Sequence, residues 1–157
     1  GFAGRGDAVA GRMAEILGLA YAPCWHTDRS GVAAYGGWLA SVANACGKIG
    51  QDIALMAQMG EIALDDAGRS SSMPHKRNPT RAEALVALAR HAAGLAGTVW
   101  HAGLHEQERS GAAWTLESLV MPPLVEVAGA ALRLGAELLG AVRRLGDDAM
   151  QPQAGGC

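Results

Sequence analysis

The stretch GVAAYGGWLASVANACGKIGQDIALMAQMGEIAL, residues Gly31 to Leu64, decides the fold. Val32, Tyr35, Leu39, Val42, Cys46, Ile49, Ile53 and Met56 recur at alternating spacings of three and four. Gly60 and Ala63 continue the register, which is that of a long helix with a heptad seam. Lys48, Gln51, Asp52 and Glu61 fall off the seam, while Leu55, Met59 and Ile62 make a second apolar stripe, so more than one face must be covered. At 1.5 Å per residue such a helix is roughly 50 Å long. A globule of this chain length is about 30–40 Å across, so the helix is expected to need partners beyond its own chain.

Working outward, residues 6–18 read as a short amphipathic helix with Val9, Met13, Ile16 and Leu17 on one side, ended by Gly18 and Pro23. A connector from Ala20 to Ser30 carries Trp25-His26-Thr27-Asp28-Arg29. After the long helix, Asp65 to Pro79 is small, polar and punctuated by Gly and Pro, hence a loop. A second seam follows through Leu85, Leu88, Ala92, Leu95, Val99 and Ala102, then a break near Gly103–Gly111. A third runs through Val120, Leu124, Val127, Ala131, Leu134 and Leu138, where Pro122 and Pro123 are expected to kink the helix or restart it. The fold class is therefore all-α, an up-and-down bundle of long helices. No strand signal competes. Residues 1–146 read as one helical domain and 147–157 as an irregular tail.

Composition agrees. The 157 residues are half hydrophobic but only 4% aromatic, which favours helices packed through small side chains. The 22 glycines cost up to about 1 kcal/mol each inside a helix, so helices that keep them should be closely packed there. A net charge of −2 without a basic block gives no nucleic-acid surface. The three cysteines, Cys24, Cys46 and Cys157, show no CxxC spacing and suit thiols of a reducing compartment. No apolar run approaches membrane-spanning length and no signal-peptide h-region opens the chain. A soluble cytoplasmic protein without membrane contact is expected. Gly1 in place of Met, and the aperiodic tail, suggest a piece of a longer protein.

The loop from Gly68 to Pro79 reads GRSSSMPHKRNP. Three hydroxyls, Lys76, Arg77 and Asn78 stand just before a helix whose free N–H groups favour negative charge. Taken as chemistry alone, it is either a carboxylate-binding site with a serine activated as base, or a solvated linker whose serines cap the helix.

Ser70 to Asn78 fits the signature G-S-x-x-M-x-x-K-x-N of the fumarase/aspartase superfamily from its serine onward, with Pro74-His75 and Pro79 as further context. The chain resembles that superfamily over most of residues 5–145. The resemblance implies that Ser70 exchanges the proton beside a substrate carboxylate. Lys76 and Asn78 would bind that carboxylate and stabilise the carbanion, with Ser71, Met73 and Arg77 lining the same loop. Arg69 stands where the signature has Gly: either the loop closes differently or the arginine adds a contact to an anionic substrate.

Within the superfamily, the stretch His105-Glu106-Gln107-Glu108-Arg109, with Trp114 and Glu117 downstream, resembles the carboxymuconate cycloisomerase branch, with Gln107 where that branch has His. Trp25-His26-Thr27 and Arg29 resemble it too. Adenylosuccinate lyases instead place closely spaced serines where Ala112, Ala113 and Trp114 stand here. The implied substrate is a small polycarboxylate, and Arg109, Arg29 and His26 join Lys76 as candidates to hold it. Spacing alone leaves Arg109 either a bidentate carboxylate clamp or a surface arginine paired with Glu106 or Glu108. It leaves Trp114 core or substrate platform, and His26 and His75 proton-transfer groups or mere loop-orienting ones.

The resemblance further implies γ-lactone closure without metal or organic cofactor, because the substrate's own carboxylate is the electron sink. It implies a homotetramer with active sites shared between subunits, and further N-terminal and C-terminal regions, the former holding the general acid. The piece alone is then expected to be inactive. The alternatives are an adenylosuccinate lyase-like enzyme and a helical oligomerisation module without catalysis.

Overall fold

The computed structural model describes residues 3–65, 68–69 and 77–146, with side chains at 68–69 and 77–78 left aside. Four helices dominate: α1 Gly6–Leu17, α2 Ser30–Met59, α3 Thr80–Ala102 and α4 Gly111–Gly140. Helices α2, α3 and α4 pack against one another as the up-and-down bundle expected, and the fold class is all-α. With 30 residues, α2 is about 45 Å long.

The long helix ends earlier than the periodicity suggests. Gly60 takes the left-handed conformation, φ 76°, and its N–H closes on Ala57 O, the common glycine stop. The apolar residues beyond it become strand β1 (Ile62–Leu64), antiparallel to β4 (Val142–Leu145) at the end of α4. Strands β2 (Gly68–Arg69) and β3 (Arg77–Asn78) form a second antiparallel pair. These four short strands carry too few residues for a period-two pattern to register.

The buried face of α2 is displaced from the seam of large side chains. It runs through Ala33, Gly36, Leu39, Ala40, Ala43, Cys46, Gly47, Gly50 and Ile53, whereas Tyr35 is 46% exposed. Val32, Ile49 and Met56 flank the core half-buried. Small residues let the helices approach more closely than large ones would. A Cβ on Gly47 would lie 2.4 Å from Ala89 Cβ, and one on Gly50 would lie 2.8 Å from the Ala82 carbonyl oxygen. A backbone oxygen cannot swing aside, so Gly50→Ala must separate the helices. Overpacking at about 1–3 kcal/mol outweighs the roughly 1 kcal/mol propensity gain. Nothing lies within 4 Å of a Cβ on Gly94, so Gly94→Ala should instead stabilise by about 0.5–1 kcal/mol. Urea melts should therefore give opposite signs for the two glycines.

Helix α4 runs through Pro122 and Pro123 without restarting. Among the described helices it alone is long and apolar enough to cross a membrane, with mean hydropathy 1.4. An unbroken-run criterion misses it because Glu126 and Arg133 interrupt the sequence. Here Val120, Leu124, Ala128, Ala131 and Leu138 enter the core, while Leu119, Val125, Leu132 and Leu139 stay exposed. Helix α1 buries none of its residues.

The end of α4 is tied to the end of α2 by polar contacts as well. Asp65 N–H donates to Ala141 O at 2.9 Å, Gly146 N–H to Glu61 O at 2.7 Å, and Arg143 Nε meets Asp65 Oδ2 at 2.5 Å. The hydrogen bond from Arg143 holds the Asp65 carboxyl below its ordinary value. A carboxyl lowered on folding stabilises above its unfolded pKa, about 3.9, and that contribution is lost as pH falls through the lowered value. Asp65→Asn should therefore flatten the acid limb of thermal stability below about pH 4, as read by circular dichroism.

Candidate functional site

Three of the candidate residues meet around one ring. Arg29 closes the connector as N-cap of α2, after a turn in which Asp28 Oδ1 accepts from Ser30 N–H at 3.0 Å. Its guanidinium donates twice to Glu117 of α4, Nε to Oε2 at 2.8 Å and Nη2 to Oε1 at 2.5 Å. The side chains of the pair are only 10% and 17% exposed. The bond to Glu117 raises the Arg29 pKa further above its ordinary value. The same guanidinium lies 5.1 Å from the Trp25 ring centroid and 5.6 Å from that of Trp114. His26 meets the Trp114 ring at 5.4 Å and 42°.

Arg109 also reaches Trp114, with its guanidinium carbon 5.7 Å from the ring centroid. The turn before it is tight: Gln107 has φ 50°, a conformation uncommon for a side chain of this kind. Ser110 then caps α4, its hydroxyl oxygen accepting from Ala113 N–H at 3.3 Å. A hydrogen bond from Ser110 lowers the Glu106 pKa. No ion pair of Arg109 with Glu106 or Glu108 occurs among the described residues. Trp114 is 39% exposed, so it is a platform for cations rather than core.

Two participants, Glu117 and His105, stand in the stretch that resembles the cycloisomerase branch but are not among the candidate site residues. Glu117 pairs with an arginine 88 positions away. His105 accepts from Ser110 N–H through Nδ1 at 3.3 Å, and its Nε2 is buried without a hydrogen-bond partner among the described residues. An open cavity beside the cluster, about 650 Å³, is walled by Tyr21, Trp25, His26, Arg29 and Trp114. Among the described residues no group of His, Cys, Asp or Glu is placed to hold a metal ion.

Ser70, Ser71, Met73 and Lys76 lie outside the described residues. Their flanks are placed: Gly68 pairs with Asn78 and Arg69 with Arg77, and α3 starts at Thr80. The flanks lie at the end of the bundle where β1 meets β4. The Trp114 cluster joins the start of α2 to the start of α4, at the other end. The 23 residues of α3 separate the two, roughly 35 Å along its axis. The described flanks of the signature segment and Arg109 thus lie at opposite ends of the bundle.

Residues 6–94 match the family model described as a lyase, more than half of the chain. The chain belongs to this lyase family. It is 40% identical over 135 residues to the 3-carboxy-cis,cis-muconate cycloisomerase of Bradyrhizobium diazoefficiens, covering 82% of this chain and 30% of that protein. It is 38% identical over 144 residues to the nitrosuccinate lyase of Streptomyces davaonensis, covering 85% and 30%. Among solved structures it resembles the 3-carboxy-cis,cis-muconate lactonizing enzyme of Pseudomonas putida with TM-score 0.75 and 33% identity, covering 89% of this chain and 32% of that one. The chain thus spans about a third of the relatives it matches, which places it in the fumarase/aspartase superfamily as a part of the lyase fold.

Proposed function

We propose that the protein carrying this chain is a 3-carboxy-cis,cis-muconate cycloisomerase, a cofactor-independent enzyme of aromatic catabolism working as a soluble cytoplasmic homotetramer. The observation that carries this reading is Arg109, charged and without a carboxylate partner among the described residues, held against Trp114. Both lie in the stretch that resembles the cycloisomerase branch. Identities of 37–40% to three enzymes of that name support it.

In the reaction, a carboxylate oxygen of the substrate adds to a conjugated double bond and closes a γ-lactone. The π pair moves to the carbon beside another carboxylate, which holds it as an aci-carboxylate until a proton arrives. Ser70 exchanges that proton, removing it in the reverse direction. Lys76 stabilises the aci-carboxylate by its charge and Asn78 by a hydrogen bond from its amide, and Arg109 clamps a remote carboxylate through two parallel N–H bonds. Arg29 is engaged by Glu117, so among the described side chains Arg109 is the candidate cation left for substrate.

The described flanks of the Ser70 loop lie roughly 35 Å along α3 from the Arg109 end, and that separation supports a shared site in which a second subunit supplies Arg109. Exposed Tyr35, Trp38, Leu55 and Met59 on α2 and Leu119, Leu132 and Leu139 on α4 offer apolar surface for such an assembly. The 38% identity to a nitrosuccinate lyase favours elimination from a substituted succinate as the second reading. Full-length protein should convert 3-carboxy-cis,cis-muconate to a lactone, followed by loss of the diene absorbance. Turnover of nitrosuccinate or adenylosuccinate without lactone formation would overturn the assignment.

A further inference from the structure

We propose that Trp114, fixed in place by the Arg29–Glu117 ion pair, is the positioning residue that holds Arg109 for its carboxylate, and that Arg29 serves this framework rather than the substrate. The inference rests on the reading of Arg109 as a carboxylate clamp.

Two guanidiniums share the Trp114 ring, at 5.6 and 5.7 Å, and their fates differ. Arg29 is almost fully buried, pinned by two hydrogen bonds to Glu117 and backed by Trp25. Arg109 is exposed and its side chain faces no carboxylate among the described residues. Two like charges against one ring would repel each other, and Glu117 removes that repulsion by neutralising Arg29. Trp114 and Glu117 are three apart on α4, so they share a helix face. The ion pair therefore holds the Arg29 guanidinium 5.6 Å from the ring centroid. An exposed arginine side chain otherwise samples many rotamers and must be ordered when it binds. Resting on the ring, Arg109 loses less freedom on meeting a carboxylate. The expected signature is tighter binding with no change in the chemical step.

The test uses full-length protein with Trp114→Leu, Trp114→Phe, Arg109→Ala and the Trp114→Leu/Arg109→Ala double variant. For 3-carboxy-cis,cis-muconate, Trp114→Leu should raise KM about fivefold with kcat within about twofold, as the loss of a cation–π contact at an exposed site suggests. Trp114→Phe should restore most of it, and in the double variant the leucine should add nothing to the effect of Arg109→Ala. An independent readout is the rate at which phenylglyoxal labels Arg109, followed by peptide mass spectrometry. It should rise several-fold in Trp114→Leu and little in Trp114→Phe. If Arg109→Ala leaves KM unchanged, the clamp reading falls and the labelling rate still decides whether Trp114 holds Arg109. An unchanged labelling rate, or KM effects that multiply in the double variant, would overturn the inference. Should Trp114→Leu fail to fold, Glu117→Gln with the same labelling decides: Arg109 and Arg29 should both become more reactive, and unchanged Arg109 reactivity overturns it.

Discussion

Ser70→Ala in the full-length protein should lower kcat by about 10²–10⁴-fold, the range for a lost acid–base group, with KM changed only a few-fold. Circular dichroism and the melting temperature should stay as in the parent. The expectation comes from the signature, in which Ser70 precedes Met73, Lys76 and Asn78 at fixed spacing. The described flanks agree with a segment anchored at both ends, since Gly68 pairs with Asn78 and Arg69 with Arg77. Just beyond, the first turn of α3 begins after Pro79, which supplies no side-chain cap. Its free N–H groups favour an anion there. Unchanged activity would remove the catalytic role assigned to Ser70 and its loop.

Glu117→Ala should be among the most destabilising single replacements outside the helix contacts, at about 1–3 kcal/mol, less than a fully buried ion pair because this one is part-buried. The loss arises from leaving Arg29, 10% exposed, without a partner inside a wall of two indoles. Urea unfolding checks it. Arg29→Met together with Glu117→Ala should recover part of the loss, because both charges are then gone and the methionine can fill the space between Trp25 and Trp114. If the double variant were less stable than the sum of the single ones, the pair would not be the source of the effect.

Three- and four-residue spacings determine the bundle before any coordinates, because a helix must bury one stripe and these helices carry apolar stripes throughout. The breaks are legible for the same reason: α3 ends at Ala102 and α4 begins at Gly111, where the periodicity stops. The signature segment is legible too, since its residue types and spacing do not depend on what packs around them. Large side chains are a poorer guide to the contact face. Leu39 and Ile53 lie in the core, but Tyr35 turns outward and Gly47 and Gly50 make the close approach. Which residues touch depends on how near two helices come, and that distance is a property of the pair.

The sequence by itself determined an all-α chain of long helices with the lyase signature between the first two long ones. Only the tertiary structure decided what the cations do. Arg29 and Arg109 look alike in the sequence, two arginines beside tryptophans. Folding pairs the first with Glu117, 88 positions away, and leaves the second exposed on the same ring. It also sets Arg109 at the opposite end of the bundle from the described flanks of the signature segment, because α3 runs the length of the bundle between them. An ion pair across 88 positions leaves no local mark in a sequence. Its existence follows from the helix packing that brings the start of α2 against the start of α4.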